Sequence, residues 1–396
     1  MKDKICVIGL GYVGLPTALI LAKNGYMVYG FDIDKKKIDD LQQHHSKIED
    51  ALPLLENKFV RKNFKPVTSI PSVDIYIIAV PTPLTSNNNA NLQYLLHATK
   101  LTCKKIQKGN LVIVESTIPP GTCRDIIVPL IEKSTKLKIN KDFLLSHCPE
   151  RAIPTNTVHE IVHNDRIIGG LNPAASKKTL QIYKSFVNGQ IHMTDDITAE
   201  MTKLVENSFR DVNIAFANEI DVICSKLKIS SKDVIKLANK HPRVNILDPG
   251  IGVGGHCIPI DPLFISQIAP QKSKIIKLAR KINDEKPSTI AKKILHELKD
   301  VKNPNIVIGG ISYKQNVNDV RESPALKIIE FLKEKNVKVS IYDPVVYPEK
   351  KSSLLEICKK KDLLVILVRH DSMLNELKSN KKQIHETLNL NKVLMY

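Results

Sequence analysis

The chain has 396 residues, 42% of them apolar and 25% charged, a balance that excludes a disordered or fibrous protein and at this length predicts two or three folded domains. Its formal charge of +18 suits anionic partners in general. The lysines are nevertheless spread along the chain with no recognisable binding module, which argues against specific nucleic-acid recognition.

The first apolar stretch, Ile5 to Ile8, runs into Gly9-Leu10-Gly11-Tyr12-Val13-Gly14, and a helical segment from Pro16 to Asn24 follows. A second apolar run, Met27 to Phe31, ends at Asp32. Strand, glycine turn, helix, strand and acid in this order predict a nicotinamide dinucleotide site. Small residues let the backbone approach a pyrophosphate at a helix N-terminus, and the acid accepts the ribose hydroxyls. A carboxylate at that place repels a 2′-phosphate, so NAD is expected rather than NADP.

Further strands are expected at Ile75–Val80, Leu111–Glu115 and Phe143–Ser146, alternating with helices as in a parallel sheet covered on both faces. Pro81-Thr82-Pro83 closes the first of these, and Glu115-Ser116-Thr117-Ile118-Pro119-Pro120-Gly121-Thr122 follows the next. Both are loops at carboxyl strand ends that would border a ligand crevice.

From Thr198 to about Leu227 the periodicity predicts one long helix, roughly 45 Å at 1.5 Å per residue. Met201, Leu204, Val205, Val212, Phe216, Ile220, Ile223 and Leu227 form its apolar stripe, read as a packing face. Lys203, Asn207 and Arg210 share another side, which by spacing alone reads as a solvated face.

Downstream, Gly254-Gly255-His256-Cys257-Ile258-Pro259-Ile260-Asp261-Pro262 sets a potential nucleophilic thiol in a glycine-rich turn. A second α/β unit begins near Asn305. Its expected strands are Ile306–Gly310, Val337–Tyr342 and Leu363–Val368, with helices Pro324–Lys335 and Ser353–Lys360, and a substrate cleft is expected between the two sheet domains.

No apolar run approaches the ~18 residues of a membrane span, and the N-terminus passes directly into Lys4-Ile5-Cys6-Val7-Ile8 rather than a leader-like stretch. The seven cysteines, at 6, 103, 123, 148, 224, 257 and 358, lack the close pairs of a zinc site or disulfide framework. A cytoplasmic protein with no structural metal is expected.

Across nearly its whole length the chain resembles the UDP-glucose and GDP-mannose dehydrogenase family. The motifs that carry the resemblance are GLGYVGLP from Gly9, FDID from Phe31, VPTP from Val80, ESTIPPGT from Glu115, PERAIP from Pro149, KLVENSFRDVN from Lys203, GVGGHCIPIDP from Gly252 and NDVRESPAL from Asn318. Within the family, the HPRVNI run from His241, the HCIPIDP run and the segment from Ser273 to Pro287 are most similar to UDP-N-acetyl-D-mannosamine dehydrogenases. UDP-glucose dehydrogenases usually carry serine in place of His256 and lysine in place of Ile260, so glucose is disfavoured.

The resemblance implies a Rossmann-like NAD-binding domain (1–195), a central long-helix dimerisation region with the cysteine loop (196–300) and a Rossmann-like UDP-binding domain (301–396). It further implies a two-step, NAD-linked oxidation of a UDP-N-acetylhexosamine at C6 by a homodimer or higher homo-oligomer. Cys257 would form a thiohemiacetal and then a thioester. Lys203 and Asn207 would stabilise charge on the C6 oxygen, Asp261 would orient water or shuttle a proton, and Glu150 and Thr117 would activate or position the hydrolytic water. Cofactor contacts are implied for Gly9, Gly11, Tyr12, Val13, Gly14, Asp32, Lys37, Pro81, Thr82, Thr117 and Arg321. Substrate contacts are implied for Glu150, Arg151, Lys203, Asn207, Arg210, Gly254, His256, Lys314 and Arg321, with Arg243 reaching the neighbouring subunit's site.

Overall fold

The strands of the first sheet are buried on both faces at its centre, which is why short runs of β-branched and aliphatic residues there read as continuous apolar runs rather than as alternating patterns. In the computed structural model, which describes residues 2–152, 156–350 and 352–396, these strands are β1 (Lys4–Ile8), β2 (Met27–Phe31), β3 (Phe64–Val67), β4 (Ile75–Ile78), β5 (Leu111–Val114), β6 (Leu144–His147), β7 (Arg166–Gly170) and β8 (Ile191–Asp195). Their order is β3-β2-β1-β4-β5-β6-β7-β8. Ile5, Val7, Ile75, Ile77, Leu111 and Ile113 join one core with the first helix, Gly14–Lys23. Cys6, Ile8, Tyr76, Ile78, Val112 and Val114, the intervening residues, join the other.

The sheet departs from the expected parallel arrangement at one place: β7 pairs antiparallel with β6, Ser146 opposite Gly170 and His147 opposite Gly169. The first residue of β7, Arg166, therefore lies toward the carboxyl ends of the parallel strands. Sequence reading found neither β7 nor β8, and it also missed β3. β7 opens on a charge and closes on two glycines; a Cβ on Gly169 would come within 2.5 Å of Ala199 Cβ and one on Gly170 within 2.3 Å of Ser176 Oγ. The strands expected to reach Val80 and Glu115 stop at Ile78 and Val114. Beyond them Ser116 Oγ accepts from the Val80 N–H (3.0 Å) and donates to the Val80 carbonyl (2.7 Å), a local exchange that replaces the ladder.

The chain divides into two units, Met1–Glu206 with Leu263–Ala269, and Asn207–Pro262 with Pro270–Tyr396. The second contains a parallel sheet in the order β10-β9-β11-β12, built from β9 (Asn305–Gly309), β10 (Lys338–Tyr342), β11 (Leu363–Ile366) and β12 (Val393–Met395). The last of these was not foreseen.

The long helix spans Asp196–Leu227, and within the chain much of the stripe is left uncovered. Leu204 is buried, but Val205, Phe216, Ile223 and Leu227 are exposed, as is Phe209. The buried side within the second unit carries a polar network. Asp211 pairs with Arg280, Asn218 donates to Asn283 (3.0 Å), Asn283 donates to Asp211 (2.9 Å), and Asp221 pairs with Lys286 (2.9 Å), the partners all lying on the helix Lys274–Glu297. Polar residues can occupy such an interface because their hydrogen bonds are made there. Among the described residues no helix is long and apolar enough to cross a membrane.

Candidate active site

The glycine turn divides its residues by what each must avoid. Gly9 has φ +93°, and a Cβ there would lie 2.6 Å from the Ala79 carbonyl oxygen; a Cβ on Gly14 would lie 1.9 Å from the Gly9 carbonyl oxygen. These two are fixed by the fold. A Cβ on Gly11 would meet nothing within 4 Å, so no protein contact requires glycine there. The space left open there, at a helix N-terminus, is of the kind that a dinucleotide pyrophosphate fits. Val13 precedes the helix without a side-chain cap, which leaves its first N–H groups without one. Tyr12 is exposed.

Asp32 Oδ2 accepts from the Leu10 N–H (2.9 Å) and Lys37 Nζ (2.7 Å), and Oδ1 accepts from the Asp34 N–H (3.0 Å). Burial raises its pKa, but Lys37 and the backbone donors outweigh this and hold the carboxyl below its ordinary value. It is thus an ionised acceptor, and Lys37 acts through it.

The loops after β4 and β5 are tied together, since Thr82 Oγ1 donates to the Thr117 carbonyl (2.5 Å); Thr117 is half-buried and Pro81 is exposed. Glu200, on the long helix, accepts from the Gly121 (2.5 Å) and Cys123 (2.9 Å) N–H groups and so fixes the far end of the Thr117 loop. Burial pushes Glu200 up to about 7 against these donors.

Glu150, after β6, is buried with both oxygens engaged. Oε1 accepts from the Arg151 (2.6 Å) and Ala152 (2.8 Å) N–H groups, and Oε2 from both terminal nitrogens of Arg166 (2.6 and 2.9 Å). Arg151 turns outward to pair with Glu206 (2.7 Å). Ile153 and Pro154 of the PERAIP motif lie outside the described residues. Arg166, Glu115 and Glu200 were all missed from sequence. The available signal for Arg166 was a single arginine opening the apolar run Arg166-Ile167-Ile168, because a buried guanidinium requires a carboxylate.

On the long helix, Lys203 and Asn207 are both buried and only Arg210 is exposed, so the solvated-face reading holds for the arginine alone. Lys203 is 9% exposed yet has no salt-bridge partner among the described residues. Asn207 Nδ2 donates to Asp261 Oδ2 at 2.6 Å. Asp261 opens the helix Asp261–Ile268, and its N–H and that of Ile260 return to the Cys257 carbonyl at 2.9 and 3.0 Å. Asn207, Asp261 and the Cys257 turn therefore form one assembly in the second unit, with the thiol half-buried.

The neighbouring glycines are set by packing. A Cβ on Gly254 would lie 2.7 Å from the Glu322 carbonyl oxygen, and one on Gly255 3.0 Å from the Tyr313 ring. The Gly255 N–H donates to the Arg321 carbonyl (3.3 Å). Arg321 itself folds onto Asp319 (2.6 Å). Burial raises the Asp319 pKa, but Arg321 and His256 bring it below its usual range. Arg243 and Lys314 are exposed.

Residues 3–187 match the NAD binding domain of the UDP-glucose/GDP-mannose dehydrogenase family, 197–285 its central domain and 307–393 its UDP binding domain. A UDP-N-acetyl-D-mannosamine dehydrogenase of Methanococcus vannielii is 44% identical over 96% of this chain and 88% of its own length. One of Campylobacter jejuni is 42% identical over 96% and 98%. The solved structure of a UDP-D-ManNAc dehydrogenase from Pyrococcus horikoshii superposes with a TM-score of 0.93 at 36% identity, covering 99% of this chain and 94% of that one. With a cradle that fits the dinucleotide and matches to all three domains, this chain belongs to the UDP-glucose/GDP-mannose dehydrogenase family and is an NAD-dependent dehydrogenase.

Proposed function

We propose that the chain oxidises UDP-N-acetyl-D-mannosamine at C6 to the uronate, in two steps and through a covalent intermediate on Cys257. The observation that carries the chemistry is Lys203: a buried lysine with no salt-bridge partner among the described residues. A positive charge kept in this way is matched to an oxygen that becomes anionic in the transition state. The sugar assignment rests on the relatives that carry that name and on His256 and Ile260, which stand where UDP-glucose dehydrogenases usually have serine and lysine.

NAD, when bound, takes up one hydride in each of the two oxidations. In this reading Lys203 and Asn207 stabilise the C6 oxygen as its hydroxyl proton and the first hydride leave. The Cys257 thiolate adds to the aldehyde carbon, and loss of the second hydride gives a thioester. Water then cleaves the C–S bond, releasing the carboxylate and regenerating the thiol. Asp261, joined to Asn207, serves that water as base, whereas Glu150 positions its turn, because four protein donors already occupy the ~four lone-pair sites of its carboxylate. Seven free thiols suit a reducing compartment, the cytoplasm in this reading.

The deciding assay follows NADH with the UDP forms of N-acetylmannosamine, N-acetylglucosamine, N-acetylgalactosamine and glucose. The mannosamine form is expected to be turned over fastest. Equal or faster turnover of the glucosamine form would refute the sugar assignment, and tight binding of every candidate with no NADH would favour a noncatalytic nucleotide-sugar scaffold.

The exposed stripe Phe209, Phe216, Ile223 and Leu227 supports a homodimer formed around the long helix, since an apolar row of that length is covered in a stable protein. Phe216→Glu is expected to convert a dimer into a monomer at micromolar concentration by analytical ultracentrifugation, and a variant that sediments like the parent would disprove this face as the interface.

A further inference from the structure

Arg166 occupies a position that the reaction scheme does not use. Its side chain is 3% exposed and lies between two carboxylates. Both terminal nitrogens reach Glu150 Oε2, at 2.6 and 2.9 Å, and one of them is 3.7 Å from Glu115 Oε1. The guanidinium also sits 4.7 Å from the centroid of the Tyr183 ring. Glu115 is held in turn by the Tyr183 hydroxyl (2.5 Å) and by Thr17 Oγ1 (3.4 Å), the latter on the helix that opens at the dinucleotide loop. Burial pushes Glu115 up to about 7, opposed chiefly by Arg166. Two buried carboxyls thus share a single buried cation.

The arrangement follows from the strand that runs the other way. Because β7 is antiparallel to β6, its first side chain is delivered to the place where β5 leads into the Thr117 loop and β6 into the Glu150 turn. Removing the guanidinium would leave Glu150 held by the Arg151 and Ala152 N–H groups, next to a second carboxyl. A buried carboxylate left without its cation moves toward solvent or takes up a proton. Either response releases the turn.

We propose that Arg166 is a positioning residue for the oxidation: by gripping Glu150 beside Glu115 it fixes the turn Glu150-Arg151-Ala152 relative to the strand end that leads to Thr117. The functional half of this proposal rests on the reading that these two loops serve the reaction. A lysine cannot replace the guanidinium fully, since one ammonium does not reproduce a planar fork that spans two carboxylates.

The test uses full-length Arg166→Met and Arg166→Lys proteins with two readouts. Hydrogen–deuterium exchange at the Arg151 and Ala152 amides is expected to rise by about tenfold or more in Arg166→Met, with β5 amides unchanged, as for a local opening. With whichever UDP-sugar the parent turns over best, kcat is expected to fall by about 10²-fold while KM for NAD stays within about threefold, the signature of misplacement rather than lost cofactor binding. Arg166→Lys is expected to fall between the two in both readouts, and it decides the matter if the methionine variant does not fold. Parent-like exchange at Arg151 and Ala152 in a folded variant overturns the proposal, as does faster exchange with unchanged kcat. If the parent oxidises no UDP-sugar, the function proposed above fails, and the exchange measurement still decides whether Arg166 holds the turn.

Discussion

Replacement of Cys257 by alanine is expected to lower uronate formation by at least ~10³-fold, the scale seen when a covalent nucleophile is deleted. NAD binding should be unaffected, because the thiol belongs to the second unit and the dinucleotide cradle at Gly9–Gly14 to the first. The loss should fall on the second oxidation. Without a thiol the aldehyde has no covalent partner, so the variant should yield no more than one NADH per sugar where the parent yields two. Cys257→Ser should also fail at this stage, since an alkoxide forms far less readily than a thiolate near neutral pH. The fold should survive both changes, as the Cys257 carbonyl that closes the turn is retained in each. Intact-mass measurement after mixing with substrate and NAD, alongside NADH stoichiometry, supplies the check. Two NADH per sugar at the parental rate from Cys257→Ala would eliminate the covalent route.

Lys203→Met is expected to lower kcat by about 10² to 10³-fold, the usual scale for a preorganised group that stabilises a developing oxyanion. Both hydride transfers should slow together, because the same oxygen gains charge in each. Stability should move the opposite way. A buried lysine with no salt-bridge partner among the described residues is a cost to folding, and an apolar chain of similar length removes that cost. The melting temperature should therefore stay level or rise. A variant with parental kcat would defeat the role assigned to Lys203, and one that melts well below the parent would mean that its charge is used structurally.

The sequence by itself determined the dinucleotide loop, the acid that follows it, the order of the first strands and the length of the central helix. Each of these is encoded locally. The glycines at 9 and 14 are demanded by contacts that sub-3 Å approaches enforce, and a strand buried on both faces is apolar at every position. The thiol turn was equally legible, through a run of glycines that the structure explains by packing against Tyr313 and Glu322.

Only the tertiary structure decided which face of the long helix is covered. The apolar stripe from Met201 to Leu227 reads as a packing face, but partners within the chain, Arg280, Asn283 and Lys286, are polar and select Asp211, Asn218 and Asp221. Lys203 and Asn207, whose spacing alone suited a solvated face, are buried as well. Tertiary structure also decided the direction of β7. Five residues that begin with arginine and end in two glycines carry no strand signal, and nothing local to Arg166 states that it will lie beside Glu115 and Glu150. Pairing between distant segments is a property of the assembled sheet, because the hydrogen bonds and charges that settle it come from residues far apart in the chain.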